Sequence, residues 1–590
     1  MERTGWGIFP APQVDVRARP DGAFEVQNLL GIPPVFGTVL DRLDHWASHC
    51  PDRIFLSEIR GDRRHTITYA QFVDRVAACA ARLLAADLAA DRPIAICGNN
   101  GINHAIMLHA AMSVGVPTAI ISPAYVAPSA TPWAKLHRVL EEISPALLLA
   151  DSAEGMMQAI AQTPHATRVE ALLDLGWLDA LPAVPPSALA QARANIGLET
   201  VAKLLFTSGS TQAPKAVINT HRMMASNMMG FGEVWPFLKD EPPVLVDWLP
   251  WNHTFGGNCC FNIALWFGGT MHIDMGKPLP GQIALTEQAI RQLEPTIYFN
   301  VPAGYEALLP VLEADEAFAA AFLGRVKFLF NAGAAMPQSL RARIEGIAQR
   351  VIGRPVPIVG GWGSTETAPC STVLYFPTAH SANLGVPLPG VEIKMVPAAG
   401  RYELLVRGPN VMPGYWRNEA QTRDAFDEEG FYRIGDAGRW VDIDDPSAGI
   451  AFDGRMAENF KLLSGTWVNV GALRLAVIAA CHPLVADAVI TGEQRDDIGV
   501  LLVPSQDTAD LSRHEVAGKI AELLELHNAR QSGNSTRIAR FHVLETPPDR
   551  NRDETTDKGY INQRAMLSNR RDQVEALYED DPAKGYYRLR

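Results

Sequence analysis

The run Leu204-Leu205-Phe206-Thr207-Ser208-Gly209-Ser210-Thr211-Gln212-Ala213-Pro214-Lys215 decides how the chain is read. Its apolar start predicts a strand, and hydroxyls and a glycine follow at once. Backbone N–H groups and side-chain oxygens of such a turn can surround phosphate oxygens, and a lysine close behind adds charge. That chemistry suits a nucleotide triphosphate. An ordinary Ser/Thr turn between strands would use the same residues, but the Pro-Lys continuation favours phosphate. The run is not a Walker loop, because Ala213-Pro214-Lys215-Ala216 replaces its Gly-Lys-Ser/Thr end, which disfavours a P-loop kinase or ATPase.

Upstream, the hydrophobic spacing alternates between the two periods of secondary structure. Val39, Leu40, Leu43 and Trp46 predict a helix, Ile67–Tyr69 is extended, and an Ala-rich helix follows over Tyr69–Ala86. Then come strand Pro93–Cys97, helix Asn103–Val114, strand Pro117–Ile121, helix Pro132–Ile143 and strand Ala146–Ala150. Such β-α-β alternation predicts a mostly parallel sheet covered on both faces. No charge falls between Arg92 and Lys135, yet Asn99, Asn100, Asn103, His104, His109, Pro117 and Pro123 interrupt the stretch. It reads as buried α/β core, not a membrane span. Leu181–Ala192 reads as a linker or surface excursion.

Composition bounds the rest. The chain has 590 residues with 47% hydrophobic side chains, enough for several globular units, and its 47 glycines and 42 prolines fit neither collagen nor global disorder. Its net charge of −13 excludes a generally basic surface, so nucleic acid is not an expected partner. Seven scattered cysteines without a C-x-x-C pair, and an N-terminus without an apolar signal region, predict a reduced cytoplasmic setting.

Beyond the phosphate run, four further motifs follow in order: Leu249-Pro250-Trp251-Asn252-His253-Thr254-Phe255-Gly256, Asn331-Ala332-Gly333-Ala334-Ala335-Met336-Pro337, Gly361-Trp362-Gly363-Ser364-Thr365-Glu366, and Tyr432-Arg433-Ile434-Gly435-Asp436, with Gly454-Arg455 beginning a hinge. In that order they make the chain, from about Phe36 to Leu567, resemble the adenylate-forming superfamily of acyl-CoA synthetases, peptide-synthetase adenylation domains and luciferases. The resemblance implies an α/β fold with a large N-terminal domain of parallel and mixed sheets layered with helices, plus a smaller mobile α+β C-terminal domain. It divides the chain into an N-terminal extension over 1–35, an adenylation domain over 36–455 and a C-terminal domain over 456–590, hinged near Glu458.

The resemblance also assigns roles. Thr207, Ser208, Gly209, Ser210, Thr211 and Lys215 would hold phosphates, and Gly333, Ala334, Ala335, Gly361, Trp362 and Gly363 would border the nucleotide. Trp362 stands where the family has tyrosine, which keeps stacking and loses a hydroxyl. Glu366 would hold Mg²⁺ beside the Thr365 hydroxyl, although alone it reads as a surface acid. Asp436 would accept from the ribose hydroxyls and Arg455 would bind ribose or phosphate; alone they read as a turn acid and a solvated base. His253, Phe255, Phe299, Val301, Tyr305 and Gly361 would line the acid pocket, though His253 equally reads as a structural histidine and the others as core. Lys461 and Gly465 would face CoA, and Lys558 would be the mobile adenylation lysine. Lys558 precedes Gly559 where the family order is Gly-Lys, Glu458 replaces an aspartate, and Gln212 and Ala216 replace glycines.

The implied activity is an ATP-dependent acid–CoA ligase. A carboxylate attacks the α-phosphate, pyrophosphate leaves, and the CoA thiol then takes the acyl group from AMP. Catalysis of that kind relies on alignment and charge screening, with His253, Thr365, Glu366 and Lys558 as the catalytic set. Phe460-Lys461-Leu462-Leu463-Ser464-Gly465-Thr466-Trp467-Val468-Asn469-Val470-Gly471 and Thr556-Asp557-Lys558-Gly559-Tyr560-Ile561-Asn562-Gln563-Arg564-Ala565 resemble feruloyl-CoA synthetases in particular. They imply a hydroxycinnamate such as ferulate. A fatty-acid or benzoate ligase, an enzyme loading a separate carrier protein, and a non-catalytic ATP-binding regulator are the alternatives. The implied partners are ATP, Mg²⁺, CoA and a small carboxylic acid, with a homodimer open.

Overall fold

A computed structural model of the chain describes residues 6–33, 37–60, 63–86, 88, 91–127, 133–161, 167–207, 214–278, 281–380, 382–398, 400–505, 508, 510–531, 533–549, 552, 554–555, 561–579 and 585–589. The chain divides into two compact units. The first comprises Met1–Val396, Leu405–Ile434 and Trp440–Ile450; the second comprises Pro397–Leu404, Gly435–Arg439 and Ala451–Arg590. The second thus draws two short segments from upstream of its main stretch.

In the first unit, a six-stranded sheet runs in the order 215–220, 201–207, 118–120, 94–97, 147–150, 168–171. All neighbours are parallel except the edge pair formed by Lys215–Thr220 and Val201–Thr207. Ile94–Cys97 and Leu147–Ala150 are buried along their whole length, as strands covered on both faces must be. Helix Ile102–Ser113 buries 11 of its 12 residues, so the long uncharged stretch is core. Among the described residues no helix is long and apolar enough to cross a membrane.

A five-stranded sheet of Ile297–Asn300, Phe328–Asn331, Ile358–Gly363, Cys370–Leu374 and Val386–Pro387 is parallel across its first three strands and antiparallel thereafter. Its helical flank, built on Tyr305, Leu309, Phe322, Leu340 and Ile344, forms one continuous apolar cluster. A third sheet orders Val244–Asp247, Thr270–Ile273, Ile54–Arg60 and Arg63–Thr68.

Two parts depart from the sequence reading. Leu181–Ala192 leads into helix Pro186–Ala194, which runs two residues past it, is started by proline at its first position and is buried nowhere, so the surface excursion is a surface helix. Residues 14–28 form a hairpin, Val14–Ala18 against Phe24–Asn28, and Phe24–Gln27 pairs with Glu392–Met395. Arg19 donates twice to Glu429, at 2.7 and 2.8 Å, and Asn28 Nδ2 donates to the Pro387 carbonyl at 2.9 Å.

The second unit pairs Val485–Thr491, Ile498–Pro504, Ile538–Val543 and Tyr586–Arg588 in one mixed sheet. Val477 of helix Val470–Cys481, and Ile520 and Leu524 of helix Arg513–Ala529, close over Val500, Leu502 and Phe541 as a separate core. The layered α/β unit with a smaller α+β companion is the architecture the sequence implies.

Candidate active site

Strands Val201–Thr207 and Lys215–Thr220 pair in a register that puts Lys215 directly opposite Thr207. The two residues therefore close the mouth of the phosphate run. Ser208, Gly209, Ser210 and Thr211 lie outside the described residues. Thr220 then caps helix His221–Val234, its side chain accepting from Met223 N, and this helix carries Asn227 inward.

Asn227 serves the turn that holds Thr365 and Glu366. Its Nδ2 donates to the Cys370 carbonyl at 2.9 Å, and its Oδ1 accepts from Cys370 N at 3.2 Å. Asn410 donates to the Thr367 and Cys370 carbonyls at 3.0 and 3.1 Å, and Met412 N donates to the Glu366 carbonyl at 2.8 Å. A Cβ on Gly363 would stand 1.9 Å from the Pro369 carbonyl, so only glycine lets the strand enter this turn. Trp362 lies in the same strand, opposite Thr372 and nearly buried.

The Glu366 side chain is held from a third segment. Tyr415 Oη donates to Glu366 Oε1 at 3.1 Å, and the Lys215 ammonium stands 4.9 Å from the Tyr415 ring centre. The buried Tyr432 phenol lies near Tyr415 and Glu366. Burial and the nearby Glu366 carboxylate raise both phenols, so they remain neutral donors. Tyr415 itself is stitched to the phosphate strand: Val217 pairs with it, Ile218 N donates to the Gly414 carbonyl at 3.2 Å, and Trp416 N to the Ala216 carbonyl at 2.8 Å. Lys215 and Glu366 thus meet at one ring.

Among the described residues no group of three or more His, Cys, Asp or Glu side chains could hold a metal ion. A single carboxylate beside a hydroxyl fits Mg²⁺ instead, because that ion completes its shell with phosphate oxygens and water.

The segment after strand Val244–Asp247 carries His253 and Phe255. Phe255 begins a π-helical turn, Phe255–Cys260, a form frequent at functional sites. A Cβ on Gly257 would lie 2.3 Å from the Trp251 carbonyl, so the turn folds back tightly on the segment before it. Lys203 Nζ donates to the Gly257 carbonyl at 2.8 Å from beneath. His253 is half-buried at this bend, its carbonyl accepting from Gly257 N at 2.8 Å. Phe255, Phe299 and Phe330 form an aromatic cluster with ring centres 5.1–6.2 Å apart. Phe299, Val301 and Tyr305 are buried, and Tyr305 Oη donates to the Phe330 carbonyl at 2.8 Å. Gly333 is exposed in its turn, with Ala334 and Ala335 half-buried beside it and Gly361 half-buried in strand Ile358–Gly363.

In the second unit Asp436 is buried, and Arg455 pairs with it at 3.0 Å while staying largely exposed. Glu458 is half-buried; burial raises its carboxyl, and Arg455 and Arg474 oppose the rise. Lys461 and Trp467 face each other on the small hairpin Phe460–Val468, with the ammonium 5.0 Å from the ring centre, and Gly465 makes its turn. Lys558 lies outside the described residues, between Thr555 and Ile561, which pair with each other. Glu554, next to this pair, is fully buried against Arg570 at 2.7 Å.

Tyr415, Lys203 and the Glu554–Arg570 pair are missed by sequence reasoning. Gly414-Tyr415-Trp416, an aromatic pair after a glycine between two strands, is the signal that could have drawn attention to the first.

Comparison with known proteins agrees with this geometry. A feruloyl-CoA synthase of Amycolatopsis sp is 29% identical over 389 residues, covering 63% of this chain and 70% of the relative. A malonate–CoA ligase of Arabidopsis thaliana is 24% identical over 350 residues, covering 56% of this chain, so the chain spans about half of that relative's length, 55%. The adenylation domain of a carboxylic acid reductase from Segniliparus rugosus, solved with AMP and a co-purified carboxylic acid, superposes with a TM-score of 0.72 at 20% identity, over 92% of this chain and 94% of that one. The AMP-binding enzyme C-terminal domain matches residues 460–582. The AMP-binding enzyme family matches residues 43–416, and the chain belongs to it.

Proposed function

We propose that this protein is an AMP-forming carboxylic acid–CoA ligase whose acid is a hydroxycinnamate such as ferulate. The observation that carries the ligase reading is the meeting of Lys215 and Glu366 at Tyr415, directly beside the mouth of the phosphate run. A cationic and an anionic group held that close suit a triphosphate with its counter-ion.

The acid's oxygen attacks the α-phosphorus, and the bond to pyrophosphate breaks. Thr207, Ser208, Ser210, Thr211 and Lys215 restrain the departing phosphates by hydrogen bonds and charge. Glu366, with Thr365 next to it, would hold Mg²⁺, which when bound screens phosphate charge. Trp362 offers a face to adenine, and Asp436 and Arg455 serve the ribose. Lys558 bridges carboxylate and phosphate oxygens during adenylation. The CoA thiol, approaching by Lys461 and Gly465, then attacks the acyl carbonyl, its proton leaves to solvent, and AMP departs. Glu458 is the pivot on which we place the change between the two steps.

The hydroxycinnamate reading is supported by the feruloyl-CoA synthase relative and by the three-phenylalanine cluster behind His253. An apolar aromatic wall favours an aryl acid over malonate, whose second carboxylate would be desolvated there. The test is a panel of ferulate, p-coumarate, caffeate, benzoate, octanoate and malonate with ATP, Mg²⁺ and CoA, followed by AMP and thioester formation. Acid-dependent AMP with ferulate as a preferred substrate is expected. ADP as the product refutes the ligase, and a preference for malonate or octanoate refutes the substrate class.

A further inference from the structure

Glu366 is 6% exposed and Tyr415 7%, so the carboxylate and the phenol that donates to it are both enclosed. The Tyr415 hydroxyl donates to the Glu366 carboxylate at 3.1 Å. Phenylalanine in place of Tyr415 would fill the same space, so packing alone does not call for the hydroxyl. A buried carboxylate left without a donor carries the full cost of its desolvation.

The ring of Tyr415 has a second engagement. Its face lies under the Lys215 ammonium while its edge oxygen reaches Glu366. A cation on the face of an aromatic ring is attracted by its quadrupole. The two charges are therefore each matched to a different part of one neutral ring, which leaves both available to a ligand instead of neutralising each other. The backbone of Gly414–Trp416 is in turn tied to Ala216 and Ile218, the residues that follow Lys215. Any movement of this segment would move the lysine and the carboxylate together.

We propose that Tyr415 is a positioning residue of the nucleotide site, its hydroxyl aiming Glu366 and its ring face spacing Lys215. The proposal rests on Glu366 holding the metal of the ATP complex. Partners that orient a metal's ligand are worth about 10- to 100-fold in metal affinity or activity.

The test measures binding of a non-hydrolysable ATP analogue at a series of free Mg²⁺ concentrations, by calorimetric titration, without turnover. Tyr415→Phe keeps the ring and the cation contact and deletes only the donor. It is expected to need about 10- to 100-fold more Mg²⁺ for half-maximal enhancement of analogue binding, with a melting temperature near that of the parent. In a Glu366→Gln background Tyr415→Phe is expected to add little. An unchanged Mg²⁺ curve in Tyr415→Phe, or an equal shift with and without Glu366→Gln, overturns the proposal alone. An unchanged Mg²⁺ curve in Glu366→Gln overturns the metal reading of that residue and the proposal with it.

Discussion

Lys203 stands four residues ahead of Thr207 on the strand that leads to the phosphate run, fully enclosed, with Nζ donating to the Gly257 carbonyl at 2.8 Å. Burial lowers its ammonium from 10.5 to about 7. His104, His109 and His221, which sense its charge, are themselves pushed down by burial to about 4, about 3 and about 4, so they are neutral where the lysine titrates. Between pH 7 and 10.5 the unfolded chain then binds this proton while the folded chain does not, so stability rises with pH across that window and is flat from this group outside it. The slope it contributes is up to about 1.4 kcal/mol per pH unit. Lys203→Met is expected to remove that slope, read as urea midpoints at several pH values from 7 to 9.5; parallel curves for parent and variant would contradict the burial argument. Lys558 makes the complementary case, a residue whose role concerns chemistry and not folding. Lys558→Ala is expected to slow acyl-adenylate formation about 10²-fold or more, corresponding to about 2.7 kcal/mol of lost transition-state stabilisation, and to spare thioester formation from supplied acyl adenylate. Equal loss in both half-reactions would refute that division.

The π-helical turn Phe255–Cys260 carries a prediction of its own. Gly257→Ala would drive a methyl to 2.3 Å from the Trp251 carbonyl, and the segment bearing His253 and Phe255 must shift to admit it. The expected cost is near the upper end of about 1–3 kcal/mol, with KM for the acid raised and KM for ATP little changed. A variant with parent-like stability and acid KM would show that the tight fold-back is dispensable. Elements of this kind also show why some of the architecture can be read from residue order and some cannot. Ile94–Cys97 and helix Ile102–Ser113 are legible because near-complete burial leaves a long uncharged, mostly apolar signal. Strand Ile54–Arg60 is not announced, because Ser57 and Glu58 break its pattern; both are nonetheless buried, and Glu58 is turned inward to accept from Ile102 N at 2.9 Å. The phosphate hairpin and the Glu366 turn are legible as local motifs. Tyr415 is not, since its meaning comes from a carboxylate 49 positions away that only the fold brings within 3.1 Å.

At the scale of the molecule, the two units have separate apolar cores, one between sheet and helices around Tyr305 and Leu340, the other around Val477 and Val500. The family match begins at residue 43, yet the first unit starts earlier. Glu25 is 3% exposed within the Val14–Asn28 hairpin and takes Arg19 as a partner, and Arg19 also holds Glu429, whose carboxyl is drawn down to about 2 by Arg19 and Lys394. That hairpin makes the leading segment an outer wall of the domain. An expression clone trimmed to begin at residue 36, where the motif resemblance begins, would uncover the hydrogen-bonding rim of Glu392–Met395 and deprive Glu429 of Arg19. Such a chain is expected to self-associate on size-exclusion chromatography where the 590-residue chain elutes as a defined species. A shortened form of this chain would then be discarded as insoluble for want of some thirty residues that belong to the barrier between its sheet and the solvent.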